Sequence, residues 1–128
     1  MTVGELAKAS GVSAKMIRHY ESINLISKAK RNESGYRVYS EKDVNTLSFI
    51  KSARDLGFPL SEIKTLLGLW KNKRRSSAQV KRLAQNHIDQ LQQKINELEK
   101  MRKTLNHLVR HCHGDDRPDC PIIDALDS

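Results

Sequence analysis

The chain has little of several residue types that mark common protein classes. Its 128 residues include two cysteines, three prolines, one tryptophan and only 5% aromatic residues. Sparse aromatics argue against the base stacking by which proteins bind single strands or RNA loops. No apolar run approaches the roughly 18 residues that span a bilayer, and the N-terminus lacks the features of a signal peptide. We therefore expect a cytoplasmic chain without membrane contact, in which thiols stay reduced.

Acidic residues are also too few to balance the basic ones. Lysine and arginine number 23 against 15 aspartates and glutamates, which gives a net charge of +8 and a pI near 9.7. Such a balance indicates a polyanionic partner, either nucleic acid or an anionic membrane. The charge is uneven, since residues 71–82 hold six cations and no acid, whereas residues 113–128 hold five aspartates and one arginine. Each cluster is equally compatible with an ordinary solvated surface.

The first residues carry the start and stop signals of two short helices. Thr2 and Glu5 form a capping box, in which each side chain accepts from the other residue's backbone amide. Gly11 suits the positive φ of a tight break, and Ser13 is a typical N-cap for a second helix. Two short helices joined by a glycine-containing turn predict a helix-turn-helix.

A short strand and two further helices are predicted next. Residues 36–39 alternate in strand fashion and predict a ribbon, or wing, beside the helix-turn-helix. Ser40 and Asp43 predict the cap of a third helix, whose apolar positions include Leu56. A fourth helix follows, and its buried face is expected to reach Trp70.

The remaining pattern divides the chain into a head and a long helix. Residues 1–70 are expected to form a winged helix-turn-helix DNA-binding domain, and residues 71–76 a basic linker. Within residues 77–110, a heptad seam of apolar side chains predicts a coiled coil: Ala84, Ile88, Leu91, Ile95, Leu98, Leu105 and Val109. Arg102 interrupts this seam. A helix this long needs a partner for its apolar stripe, either a second copy in a homodimer or the chain's own head.

Both cysteines lie in a short acidic loop after this helix. Structural zinc takes four ligands, whereas thiolates select soft ions such as Cu(I), so Cys112 and Cys120 predict a site for a soft monovalent metal. His111 and His113 flank the first cysteine and are either further ligands or solvated side chains. Residues 111–128 are therefore expected to form a metal-binding loop and a short C-terminal helix.

Three stretches of the sequence resemble the MerR family of transcription regulators. The spacing of Arg18 and Tyr20, and the run Gly35-Tyr36-Arg37, are specific to that family. The resemblance extends over essentially the whole chain and is carried by VGELAKASGVSAKMIRHYESINLI (residues 3–26), SGYRVYSEKDVNTLSFIKSARDLGF (residues 34–58) and CHGDDRPDCPI (residues 112–122). It implies a mainly α fold, with a winged helix-turn-helix head, a long antiparallel coiled-coil dimerisation helix and a C-terminal metal-binding loop.

The cysteine loop is similar to that of the copper-efflux branch, the CueR-like activators. In that branch, a serine at the start of the dimer helix marks sensors of monovalent ions, whereas sensors of Zn(II) or Hg(II) carry a cysteine that reaches the partner's loop. This chain has Ser77 there, which implies Cu(I), Ag(I) or Au(I) as the inducer. The same serine is also explained as a plain helix N-cap. This chain departs from the copper-efflux branch in one respect. His111 and His113 stand where a small residue and a proline are expected.

The DNA-binding residues follow from chemistry and from the resemblance together. The second helix is expected to enter the major groove, with Lys15 and Arg18 contacting bases or phosphates. For Tyr20, core packing is the favoured explanation and DNA contact the alternative. The full set of expected DNA-binding residues is Ser13, Lys15, Arg18, His19, Tyr20, Arg31, Tyr36, Arg37 and Arg54, the last by resemblance.

The resemblance also implies a mechanism and partners. Family members bind a promoter with overlong spacing as dimers, and metal binding distorts the DNA until RNA polymerase engages. A thiol–disulfide switch at Cys112 and Cys120, and a small metal chaperone or buffer, are the alternatives. An enzyme is not expected, because the sequence shows no arrangement of nucleophile and base.

Overall fold

Helices dominate the computed structural model, which describes residues 1–127. Its elements in chain order are α1 (Val3–Ser10), α2 (Ala14–Ser22), β1 (Lys30–Arg31), β2 (Arg37–Val38), α3 (Glu41–Asp55), α4 (Leu60–Lys71), α5 (Ser77–Arg110) and α6 (Pro121–Asp127). They form two compact units, residues 1–83 and the chain from Ala84 onward. The predicted fold class, a mainly α chain with a winged helix-turn-helix head and one long helix, is confirmed.

The predicted caps of the helix-turn-helix are present. Thr2 Oγ1 accepts from the Glu5 amide at 3.1 Å, and Glu5 Oε1 accepts from the Thr2 amide at 3.3 Å. Gly11 has φ 75°, a value that favours glycine, and turns the chain after α1. Ser13 Oγ then accepts from the Met16 amide at 3.2 Å and begins α2. These local bonds fix where both helices start.

The core of the first unit lies between α1, α2, α3 and α4. Its fully buried side chains come from all four helices and are Leu6, Ile17, Leu47, Ile50 and Ile63. Between α2 and α3 the chain forms an antiparallel hairpin, in which Lys30 is opposite Val38 and Arg31 is opposite Arg37. The hairpin occupies the position predicted for the wing.

Two apolar residues singled out in the sequence lie differently from what was expected, Leu56 at an apolar position of the third helix and Trp70 on the buried face of the fourth. Leu56 is 66% exposed, because α3 ends at Asp55 and Leu56 lies in the turn that leads to Gly57, whose φ is 84°. Trp70 is 38% exposed and stacks on Phe49, with ring centroids 4.5 Å apart and planes 6° from parallel. Leu56 therefore lies just beyond the helix in which it was predicted, and the prediction that Trp70 is buried is correct only in part.

Helix α5 extends over Ser77–Arg110, the residues expected to form the long helix. Its apolar seam is uncovered in the single chain, with side chains between 38% and 62% exposed. These exposed residues are Ile88, Leu91, Ile95, Leu98, Leu105 and Val109. At the interruption, Arg102 pairs with Glu99 at 2.9 Å, and the guanidinium lowers the pKa of Glu99. None of the helices described within residues 1–127 has the length and apolarity to span a bilayer.

Candidate functional site

The loop between α5 and α6 brings its two cysteines together. The Cys112 amide donates to the Val109 carbonyl at 3.1 Å and extends the end of α5, while Cys120 directly precedes α6. Their Sγ atoms are 3.4 Å apart and both residues are half-buried free thiols. That separation exceeds the ~2.05 Å of a disulfide bond. Two metal–sulfur bonds of ~2.3 Å span up to about 4.6 Å, so one ion can bind both sulfurs.

Backbone amides favour the thiolate form of Cys120. The Ile123 amide has the largest effect in lowering the pKa of Cys120, followed by the Cys112 thiol and the Ile122 amide, while burial and the Asp124 carboxylate oppose them. A metal binds the thiolate and not the thiol. The local backbone therefore prepares this sulfur for a soft cation.

The described residues supply no third donor to this pair. Within residues 1–127, no three histidine, cysteine, aspartate or glutamate side chains are grouped to hold an ion. His111 Nδ1 bonds the His107 carbonyl at 2.9 Å, and His113 is exposed. The structure thus does not bring either flanking histidine into the cysteine site.

Asp115 shapes the loop through one arginine. Its Oδ2 pairs with Arg117 Nη2 at 2.8 Å, and its Oδ1 accepts from the Arg117 amide at 3.0 Å. These bonds, the side-chain one first, lower the pKa of Asp115. Asp115 thus bonds both a backbone amide and a side chain within the loop, whereas Asp116 is exposed.

Ser77 is the first residue of α5, but it is not the capping side chain. Ser76 Oγ accepts from the Ala78 amide at 3.1 Å, so the N-cap interpretation of Ser77 is wrong by one residue. Ser77 instead lines an open cavity of about 680 Å³. The other residues of this cavity are Lys73, Arg75, Val80 and Lys81. Ser77 therefore does not cap α5 and lines this cavity instead.

One face of α2 presents the expected DNA-contacting side chains. Lys15, Arg18 and His19 are exposed, and residues three and four apart lie on the same side of a helix. Ile17 faces the core between them. Ser13 is exposed at the start of the helix, although its Oγ is occupied by the cap. Together these positions form a basic edge of the helix-turn-helix.

Tyr20 belongs to the core, contrary to its place among the expected DNA contacts. It is buried, and its hydroxyl accepts from Arg54 Nη1 at 2.9 Å. The bond ties α2 to the C-terminal part of α3 and holds the exposed Arg54 guanidinium beside α2. We therefore assign Tyr20 to packing and to the positioning of Arg54.

In the wing, two of the three expected residues bond within the protein. Arg31 Nη1 donates to the Gly35 carbonyl at 2.8 Å. Arg37 Nη1 pairs with Glu21 Oε1 at 3.3 Å. Tyr36 is 73% exposed, and Arg31 is exposed as well although its guanidinium bonds within the hairpin. Direct DNA contact by Arg37 therefore competes with an internal ion pair.

Glu21 is a residue that the sequence analysis missed. It is 3% exposed, and it accepts from the Tyr39 hydroxyl at 2.7 Å and from the Ala29 amide at 3.3 Å, besides pairing with Arg37. Burial chiefly, and then the hydrogen bond to Glu21, raises the pKa of Tyr39. This network joins α2 to both ends of the wing.

Family comparison agrees with this geometry. Residues 1–70 match the family described as "MerR HTH family regulatory protein", and residues 44–108 match "MerR, DNA binding". The chain belongs to the MerR family. Members of the MerR family are DNA-binding transcription regulators and not enzymes, so the expectations of DNA binding and of no enzyme activity are confirmed.

Several MerR proteins to which this chain is similar are described as metal-dependent or metal-bound. The chain is 56% identical to heavy metal-dependent transcription regulator 2 of Rhizobium meliloti, over 98% of this chain and 86% of that protein. It is 40% identical to the regulator CueR of Salmonella typhimurium, over 98% and 91%. The lead(II) complex of PbrR691 from Ralstonia metallidurans CH34 superposes with a TM-score of 0.85 at 32% identity, covering 98% of each chain. These likenesses support a metal-responsive regulator of transcription.

Proposed function

We propose that this chain is a transcription activator that senses Cu(I), with Ag(I) and Au(I) as further inducers, and that it activates copper efflux and detoxification genes. One observation carries the proposal: two thiols lie 3.4 Å apart with no third donor grouped around them in residues 1–127. Thiolates select soft ions. The likeness to CueR at 40% identity supports the same choice.

Charge favours a monovalent ion at this pair. Two thiolates around a single positive charge leave one net negative charge, whereas a divalent ion binds best with more donors, as zinc does with four. Ser77 adds no thiolate at the position where sensors of divalent ions carry cysteine. In this proposal Cys112 and Cys120 are the metal ligands and Ser77 is the residue that selects the ion.

The acting form is proposed to be a homodimer joined by antiparallel α5 helices. The exposed seam of α5 supports this, because apolar stripes of that kind are normally covered by a partner helix. Residues 1–70 then form the DNA-binding domain, residues 71–76 the linker, residues 77–110 the dimerisation helix and residues 111–128 the metal loop.

Promoter DNA and RNA polymerase are the proposed partners, in the cytoplasm, where thiols remain reduced. Lys15, Arg18, His19, Tyr36 and Arg54 carry the DNA interface. The ion acts by binding one of two dimer conformations more tightly than the other. Distorting the promoter costs on the order of several kcal/mol, which the differential metal affinity must offset.

The test is transcription from the chain's own upstream promoter with Cu(I), Ag(I), Au(I), Zn(II) and Hg(II). We expect activation by the monovalent ions, and its loss in Cys112→Ser and Cys120→Ser while promoter binding persists. His113→Gln is the matched control in the same loop and should respond like the parent chain. Undiminished Cu(I) activation in both cysteine variants would contradict the proposal.

Position 77 provides a second, independent test. Ser77→Cys should extend the response to Zn(II) or Hg(II), because a third thiolate suits a divalent ion. Ser76→Cys is the control one residue earlier, where the side chain caps α5, and it should not extend the response. If both variants behave alike, Ser77 has no role in ion selection.

A disulfide switch makes a different prediction from the same two sulfurs. Intact mass under mild oxidant would show the loss of two hydrogens, and promoter output would change without any metal. Metal-dependent output from fully reduced protein, under anaerobic conditions, supports the proposed sensor.

A further inference from the structure

We propose a second metal site, made by His107 and His111, for a divalent ion of the Ni(II), Cu(II) or Zn(II) type. His107 lies in the last turn of α5 and His111 directly follows the helix, four residues later, so the two side chains are neighbours on one side of the chain. Their ring centroids are 4.4 Å apart, with planes tilted by 41°. A metal–imidazole bond is about 2.0–2.1 Å long, so two rings this close can share one ion when a nitrogen of each turns toward it.

One hydrogen bond prepares His111 for metal binding. Its Nδ1 lies 2.9 Å from the His107 carbonyl oxygen. A carbonyl only accepts, so Nδ1 is the donor in this bond and Nε2 is the ring nitrogen left to bind an ion. Histidines that bind metals commonly donate their other nitrogen to a carbonyl in this way, which fixes both tautomer and ring orientation.

The pair stays accessible if α5 forms the proposed coiled coil. His107 follows the seam residue Leu105 by two positions, and His111 follows Val109 by two. Two residues rotate the chain by about 200° around a helix, so both imidazoles face away from the seam. Both are exposed in the single chain, and the coiled coil leaves them so.

The donors of this site select different ions from the cysteine pair. Imidazole suits Zn(II), Cu(II) and Ni(II), whereas thiolate suits Cu(I). No third protein donor is grouped with the histidines in residues 1–127, so water completes the coordination. The cations Lys103 and Arg110 lie within one turn of the pair along α5 and oppose a further positive charge. We therefore expect a weaker site than the two thiolates provide for Cu(I).

The experiment uses the untagged full chain carrying Cys112→Ser and Cys120→Ser, so that no thiol competes. Calorimetric titration with Zn(II) should show one ion per chain, and electron paramagnetic resonance of added Cu(II) should show coupling to imidazole nitrogens. His107→Gln and His111→Gln should each weaken Zn(II) binding ten-fold or more, since even outer-shell changes cost 10–100-fold.

His113→Gln is the matched control, because it removes a nearby exposed imidazole outside the pair. It should leave Zn(II) affinity unchanged. Equal Zn(II) affinity in His107→Gln and in its parent, or an equal loss in His113→Gln, would overturn the proposal. Since the thiols are absent, the outcome is independent of whether Cu(I) activates transcription.

Discussion

Glu21 shows how one side chain sets the placement of a functional element. Its carboxylate is buried and receives hydrogen bonds from Tyr39 and from the Ala29 amide, with Arg37 as its ion-pair partner. A buried carboxylate is costly unless its oxygens are bonded. The wing is only two residues long on each side, so these bonds, more than its own ladder, hold it against α2.

Tyr39→Phe tests this network. We expect a loss of about 1–2 kcal/mol in the free energy of unfolding, because Glu21 keeps its burial but loses a donor. Urea unfolding near neutral pH measures it. Tyr36→Phe is the matched control, since that ring is exposed, and it should change stability by less than about 0.5 kcal/mol. Equal effects of the two changes would contradict the role given to Glu21.

The stability difference between the parent chain and Tyr39→Phe should depend on pH. The pKa of Tyr39 is raised in the folded protein, so its contribution to stability is complete below the unfolded value of about 10. That contribution is lost as pH rises through the higher folded value. The stability gap between the parent and Tyr39→Phe should therefore narrow in unfolding experiments above about pH 10. A constant gap would show that Tyr39 titrates normally.

Local signals at this scale were readable from sequence, and tertiary ones were not. The capping residues Thr2 and Ser13 were predicted because a cap depends on amides three residues away. Glu21 was missed because a charged residue in a helical segment is usually solvated. Tyr20 was placed among the DNA contacts. Its hydrogen-bond partner, Arg54, is 34 positions along the chain, and no local sequence pattern reveals that bond.

At the scale of elements, α5 carries the most predictable feature and the α5–α6 loop the least. The heptad repeat predicted the apolar seam of α5, because a seam depends on periodicity alone. The approach of Cys112 to Cys120 depends on the turn at Gly114 and on the Asp115–Arg117 pair. The spacing suggested a site, but not the 3.4 Å between its sulfurs.

Leu98→Gln should weaken self-association by ten-fold or more. A leucine that moves from water into an interface contributes on the order of 1.5–3 kcal/mol, and both copies lose it. Sedimentation velocity over a concentration series measures the change. Lys100→Gln, two residues away and off the seam, should leave association intact. If Leu98→Gln associates as tightly as Lys100→Gln, α5 is not the dimer contact.

At the scale of the whole molecule, net charge and DNA recognition are linked. The chain carries +8, and the basic edge of α2 together with the wing offers side chains for phosphate contacts. The family and this mainly α fold followed from sequence because its motifs are local and specific. The pairing of protomers and the bending of a promoter arise between molecules, so the local motifs of one chain do not specify their geometry.

Arg18→Ala should weaken operator binding by ten-fold or more, at about 1–3 kcal/mol per lost contact. If Arg18 meets a phosphate, the slope of log affinity against log salt should also fall by about one. Gel-shift titrations at several salt concentrations measure both. Arg110→Ala removes the same charge from the end of α5 and should change neither quantity. Unaltered operator binding by Arg18→Ala would contradict the assignment of α2 to the DNA interface.

Because the leucines of α5 are uncovered in the single chain, the stability of this protein is expected to depend on its concentration. Under the proposed pairing, mass action ties the thermal midpoint to protein concentration, so dilution lowers it. A newly synthesised chain that has not yet bound a partner subunit exposes those leucines to chaperones and proteases, which continuously remove incompletely folded proteins. Below some copy number, unpaired chains would be cleared faster than they meet. Under the proposed pairing, the seam therefore sets a minimum cellular concentration for this regulator.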